Sequence, residues 1–377
     1  MTKSFSATMS VAATAFAMAV GANVASATEP GSFANVNMGS TMGTTIAAAP
    51  PPGLYLTNSY FYFPNVTGNG NAGCGDGCKA HYSASLDAVT LSWGTGLKFL
   101  GADYFPTISI AGDQATVTTS PFPPGGGPGS SPIYGAVVYE EVRNIYVNPI
   151  NLSWRVGGMP LFVNAGIGFV APTGTSFAGG TVPDYWTIRP HWAVTYLGDG
   201  LNLTGSFIYD INTSSQGRTG LYAYIAGAPG TPAPVSAFLS GPANPGAGYT
   251  SGNTFFADFT ATKKFDKWEI GPVGFVKFQT TNDTPGGINP ATRSAWTCAQ
   301  LTAAALPGCG KDVAVGAGIL IGYNFGPVDL KFIYSNAFYA KDTVGANTGS
   351  FAIIKTSFRL WAPDEPASPK KPLYSKN

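Results

Sequence analysis

The chain has 377 residues, of which 10% are charged, 44% apolar and 13% aromatic, with 49 glycines and 30 prolines. A soluble domain ordinarily carries about 25% charged residues, and a nucleic-acid binder carries a cationic excess; the formal charge of +1 excludes the second and the low charge disfavours the first. Low charge combined with many Gly, Tyr and Phe suits a sheet protein whose apolar and polar residues alternate.

The chain opens with MTKSFSATMSVAATAFAMAVGANVASA, where Lys3 precedes an apolar stretch that ends in Ala25-Ser26-Ala27. A short basic start, an apolar middle and a small-x-small end predict a secretory signal peptide over 1–27. No later run of about 18 apolar residues predicts a membrane helix. An exported chain without one is either soluble or a closed β-barrel, because only a closed barrel pairs every backbone group in lipid. Residues 28–52 are rich in small residues and precede the first strand. They are expected to lie on the periplasmic side, as a plug entering the lumen or as a linker.

Four cysteines fall in two local groups, Cys74 with Cys78 and Cys298 with Cys309. Three pairings are possible, and two small disulfide loops are the simplest in an oxidising compartment. A metal site using Cys74, Cys78 and His81 is the weaker alternative, and neither metal nor cofactor is expected.

From residue 53 onward the dominant signal has period two. In VAVGAGILIGYNFGPVDLKFIYSNAF (313–338), Val313, Val315, Ile319, Ile321 and Tyr323 alternate with Ala314, Gly316, Gly318, Leu320 and Gly322. After the Gly326-Pro327 turn, Val328, Leu330, Phe332 and Tyr334 alternate with Asp329, Lys331 and Ser335. One face is apolar and ends in aromatics; the other is small or charged. That is the pattern of antiparallel strands with lipid outside and a polar lumen inside. The same dyad recurs near 86–100, 187–197, 200–211, 253–265, 268–280 and 350–361. Short turns at 101–102, 157–160, 197–200, 265–268 and 325–327 alternate with long links at 67–85, 114–140, 172–187, 212–252, 281–311 and 339–349. These features predict an all-β, transmembrane, antiparallel up-and-down barrel of about 12 strands over 53–361, with short periplasmic turns and long extracellular loops. A bulge is expected at Asn148-Pro149, because proline cannot donate to a ladder. Residues 121–132 read as an irregular loop and 362–377 as a Pro-rich periplasmic tail.

Parity places Lys98, Arg155, Arg189, His191, Asp210, Asp258, Lys264, Glu269, Lys277, Asp329, Lys331, Lys355 and Arg359 in the lumen. Eight of these residues are Lys or Arg and four are Asp or Glu, which suggests a mildly anion-attracting bore unless the charges pair across strands. Tyr134, Tyr185, Trp186, Phe238 and Trp296 stand in links, where they could gather a solute or simply pack the loops. Catalysis is not expected. His81 and His191 are the two histidines, there is no GxSxG, and no carboxylates pair at a credible spacing.

The segments PPPGLYL (50–56), VNPINLSW (147–154), GFVAPTGT (168–175), TYLGDGLNL (195–203) and IGYNFGPVDLKF (321–332) resemble, in order and spacing, an outer-membrane family. It is the family named for the meta pathway of phenol degradation, which includes SphA-like proteins. The resemblance spans roughly 50–361. It implies a barrel in the bacterial outer membrane, with lipid and a small-molecule solute as partners, and a role in passive uptake of hydrophobic or aromatic compounds. It supplies no catalytic or binding residues. The last strand, with Phe358, Leu360 and Trp361, resembles the signal read by barrel-assembly machinery, although a tail follows it. A general porin and a structural or adhesive barrel acting through its loops are the competing readings.

Overall fold

The computed structural model describes residues 34–69, 79–117, 137–175, 182–217, 242, 244–303, 310–341 and 349–363. The expected signal peptide, the loop at 121–132, nearly all of the tail, Tyr134, Phe238 and Cys74, Cys78 and Cys309 lie outside the described residues, and of His81 the backbone alone is described. Cys298 is disulfide-bonded.

Seventeen strands appear among the described residues, in chain order: β1 Gly53–Asn69, β2 Lys79–Gly94, β3 Lys98–Phe99, β4 Ala102–Tyr104, β5 Thr107–Val117, β6 Val137–Val142, β7 Ile145–Arg155, β8 Leu161–Ala171, β9 Thr187–Tyr196, β10 Leu201–Asn212, β11 Thr254–Phe265, β12 Trp268–Gln279, β13 Ile288–Asn289, β14 Ser294–Ala295, β15 Val313–Asn324, β16 Val328–Lys341 and β17 Gly349–Trp361. A short helix, α1 (Cys298–Ala303), sits in the link after β14. Fifteen strands form one sheet, each antiparallel to its neighbours, and β5 pairs with both β6 and β7, which closes the sheet on itself. β6 and β7 are one wall strand interrupted at Arg143-Asn144, and β3–β4 is a hairpin at the short-turn end. The wall is therefore a closed antiparallel barrel of 12 strands.

Several strand bounds differ from the sequence expectation, β1 and β2 the most. β1 and β2 run on to Asn69 and Lys79, so the first long link is shorter than 67–85. The expected strand 86–100 ends at Gly94, where the backbone carbonyl of Pro51 leaves no room for a side chain: a Cβ there would fall 2.3 Å from that oxygen. The expected bulge is present, with the β7–β8 register shifting between Val147 and Ile150. Turn chemistry explains the tight connections. In the β9–β10 turn Asp199 and Gly200 have φ of 53° and 72°, a conformation that Asp tolerates and Gly adopts freely.

The exterior is apolar. Ile188, Trp192, Val194, Leu203, Phe259, Ile270, Ile319, Ile321, Phe332 and Ile354 all face out and stay exposed. Trp93, Phe99, Phe265, Trp268, Phe325 and Trp361 ring the short-turn end, and Tyr60, Tyr62, Trp186, Phe338 and Tyr339 stand toward the long-loop end. An apolar band bounded by aromatics is what a bilayer stabilises. No described helix is long and apolar enough to cross a membrane; the strands do the crossing.

Candidate functional site: an occupied lumen

Residues 34–50 lie inside the barrel. A succession of tight turns shapes this segment, with Met42 N donating to Gly39 O at 3.1 Å and Thr44 N to Thr41 O at 3.1 Å. Inward side chains grip its backbone. Asp258 on β11 accepts from Gly39 N (3.1 Å), Thr41 N (2.8 Å) and Thr41 Oγ1 (2.7 Å). The Lys355 ammonium on β17 donates to the carbonyls of Ser40 (2.6 Å) and Met42 (2.7 Å), and Lys331 on β16 donates to Gly43 O (2.6 Å). Thr260, Thr195 and Ser153 bond Gly43, Ala47 and Ala49, and Arg143 and Asn144 hold Ala34 and Asn35. Charged groups bonded to backbone make the stronger class of hydrogen bond.

Several of the residues expected in the lumen are there and buried: Arg189, His191, Asp210, Asp258, Glu269, Lys277, Lys331 and Lys355. Asp329 is partly exposed and lines the bore. Lys98, Arg155, Lys264 and Arg359 are exposed near the short-turn end, where Lys264 still reaches to within 3.9 Å of the buried Glu269 carboxylate. Lys98 pairs with Asp103 at 2.7 Å in the β3–β4 hairpin. Arg155 donates to the carbonyls of Met159 and Gly158 in the β7–β8 turn. Parity points such residues inward, but at the end of the wall they meet hairpin and turn groups or solvent rather than an enclosed bore.

The anion-attracting bore loses its basis with that correction. Arg189 makes a two-point ion pair with Asp210 (2.7 and 2.8 Å), and its guanidinium lies 4.9 Å from the Tyr146 ring centre. Lys331 sits 3.1 Å from Glu269 and 3.4 Å from Asp329. Lys277 pairs with Asp312. Sequence reasoning missed a further group, Arg143 with Asp113 (3.3 Å) and Glu141 (4.0 Å), all buried. Its members flank the interruption between β6 and β7, where alternation fails. The one available signal was the pairing itself, since Asp113 and Glu141 are direct register partners. His191 lies along the wall over Gly166, its Nε2 3.3 Å from Asn148 and Asn151 side chains.

Parity reasoning also missed an apolar interior. Phe61, Phe63, Leu86, Val273, Phe275, Leu320, Ile333, Phe351 and Ile353 point inward and pack into one buried cluster with Met38 and Met42. They come from β1, β2, β12, β15, β16 and β17, mostly in the half nearer the long loops. The Phe351 ring lies 5.3 Å from that of Phe63 and 5.8 Å from that of Phe275, distances at which aromatic contacts add to burial. Beside this cluster a cavity of about 490 Å³ remains between the segment and the wall. Phe61 and Leu86 border both. On β1, β2 and β5 the cavity wall is also small and hydroxylated, with Thr57, Ser59, Thr90, Ser92 and Ser109, and elsewhere polar and charged groups line it, among them Arg143, Arg189, His191, Lys331 and Lys355. Their hydroxyls are largely paired with one another, Thr90 with Ser109 at 2.9 Å and Thr57 with Ser357 at 3.0 Å. Among the link aromatics, Tyr185 and Trp296 are buried in loop packing and Trp186 is exposed.

Residues 64–353 match the model of the family described as "MetA-pathway of phenol degradation". The fold is similar to the crystal structure of an outer-membrane channel from Pseudomonas putida F1, with a TM-score of 0.57 at 9% identity over 86% of this chain and 99% of that one. Looser likenesses are to the Pseudomonas putida toluene transporter TodX (TM-score 0.40, 9% identity, 89% of this chain and 98% of that one). Another is to the translocator domain of the autotransporter NalP from Neisseria meningitidis (0.38, 9%, 83% and 91%). Neither of these two bears on what this barrel carries. No curated protein matches the chain's sequence.

Proposed function

The chain belongs to the MetA-pathway phenol-degradation family, and from that premise we propose that it is a channel for passive uptake of small, uncharged hydrophobic or aromatic compounds across the bacterial outer membrane. The observation that carries the reading is the apolar cluster inside the bore. A water-filled porin lines its lumen with polar groups, whereas here nine apolar side chains of the wall face inward, and two of them, Phe61 and Leu86, also border the cavity. The paired lumen charges support the same reading. An ion entering would have to displace buried partners, which costs several kcal/mol per charge, while an apolar solute gains about 25 cal/mol per Å² removed from water.

Residues 28–52 act in this reading as a lumen plug, supported by the bonds from Asp258, Lys331 and Lys355 to backbone 39–43. Residues 362–377 form a periplasmic tail. The closing strand β17, which ends in Phe358, Leu360 and Trp361 and pairs with β1, is the strand we assign to the barrel-assembly machinery.

The test is uptake by whole outer-membrane-bounded cells with and without the chain. Toluene entry is expected to depend on the chain and benzoate entry to be indifferent to it. Equal uptake of toluene in both cells overturns the reading; faster benzoate entry would favour a general porin.

A further inference from the structure

We infer that the apolar well beneath Met38 and Met42 is a binding site for an uncharged single-ring solute, and that the protein's own two thioethers occupy it in this structure. The inference rests on the channel reading above and names its binding step.

Three features of the well lead there. First, its walls belong to the barrel: Phe61, Phe275, Leu320, Ile333 and Ile353 are each at most 2% exposed and sit on five different strands. Second, what fills it is a loosely specified occupant. Methionine is unbranched and polarisable, and it is used where one surface must accept several shapes. Met42 is fully buried, and it folds back over Gly39, where a Cβ would fall 2.2 Å from Met42 Cε. Third, the segment is held by its backbone, on one side by Asp258 and on the other by Lys355 and Lys331. Among the described residues no wall side chain hydrogen-bonds the two methionine side chains, so they can leave the well while the backbone stays gripped. The well borders the cavity through Phe61 and Leu86, so a departing thioether has a place to go. The cluster's members are aromatic and aliphatic, and the two ammonium groups beside it, Lys331 and Lys355, are already engaged by the Gly43 and Met42 carbonyls. The well thus favours an uncharged ring over its carboxylated form, because an unpaired ion buried there is strongly disfavoured.

The chain has six methionines, and Met159 stands exposed in the β7–β8 turn. Methyl carbon-13 spectra of the full chain in lipid nanodiscs therefore carry an internal control. Signals are assigned with Met38→Leu and Met42→Leu, which keep side-chain volume. Titration with fluorobenzene is expected to shift the Met38 and Met42 methyls and leave Met159 in place, and benzoate is expected to move none of them. Met42→Ala removes the competing occupant and is expected to tighten fluorobenzene binding about tenfold; its heat-modifiable gel shift reports whether it still folds, and Met38→Ala, which vacates the other half of the well, carries the test if it does not. Stationary Met38 and Met42 signals at saturating fluorobenzene overturn the inference, as does an equal response to benzoate. If cells still need the chain for toluene entry while those signals stay still, the channel reading survives and the well does not.

Discussion

Substituting Asp258→Asn tests how the segment is held. The carboxylate accepts two backbone N–H groups and one hydroxyl at 2.7 to 3.1 Å. It is buried on β11, with no solvent to replace those bonds. Asparagine keeps one acceptor oxygen and turns an NH₂ group toward a donor, so at least one bond is lost and the charge assistance of the others goes with it. A hydrogen bond to a charged group contributes about 1.5–3 kcal/mol. Losing the equivalent of one to two of them weakens the grip by about 3 kcal/mol, which is roughly a hundredfold rise in the detached population. Lys331, Lys355, Thr260 and Ser153 still hold the neighbouring backbone, so detachment stays transient. Single-channel recording in a planar bilayer reads this as brief openings at about a hundredfold higher frequency, toward the steady level of a chain lacking 28–52. Thr41→Val, which removes the hydroxyl bond alone, is expected to have a smaller effect in the same direction. An opening frequency unchanged in Asp258→Asn, when the truncated chain conducts, refutes the claim that this carboxylate anchors the segment.

Asp210→Ala strands the Arg189 guanidinium inside the wall and is expected to cost about 3–5 kcal/mol, read as a lower urea midpoint in vesicles; Arg189→Met with Asp210→Leu together is expected to recover most of it, and a double variant no better than the single one counts against the pair. Gly166→Ala would place a Cβ 2.2 Å from the Ile150 carbonyl oxygen and 2.6 Å from His191 Cε1, so the barrel is expected to lose at least about 1–3 kcal/mol, visible as a lower melting point in the gel shift. In the loop base beyond β12, Asp283 is buried against Gly252 N (2.7 Å) and Gln279 Nε2 (2.5 Å) with Asp312 nearby, and burial pushes its carboxyl up to about 7. The folded loop then binds a proton that the unfolded chain, titrating near 3.8, releases. Its stabilisation is therefore full below about pH 4 and lost as pH rises through 7. Amide exchange at Gly252, corrected for intrinsic rate, is expected to be faster at pH 8.5 than at pH 5.5, and Asp283→Asn to remove the difference; equal protection at both pH values refutes it.

Much of the barrel was legible because alternation is a local property. Leu203 and Thr204, or Phe259 and Thr260, face opposite ways in any strand, whatever surrounds them. Turn residues are local too: Asp199-Gly200 must reverse the chain because of their backbone preferences. Apolar residues on one parity over many short segments, with charge confined to the other, therefore declared a membrane barrel, its approximate strand count, and the inward side of Arg189, Asp210, Asp258 and Lys355. Proline at 149 even placed a bulge.

Tertiary structure decided what lies inside. Phe61-Tyr62-Phe63 and Ile353-Ile354 carry apolar residues at both parities, so periodicity cannot say that Phe61, Phe63 and Ile353 meet Phe275 and Leu320 across the bore. The partners of Asp258 and Lys355 are backbone groups of residues 39–42, more than 200 positions away, and no spacing rule links a carboxylate to a distant peptide. Where the wall stops is likewise a property of the closed cylinder, which is why Lys98 and Arg155 keep lumen parity yet stand outside the lumen. Alternation along a strand is set by the geometry of one residue after the next; what a closed barrel encloses is set by strands meeting around a circumference, and only the assembled wall contains that information.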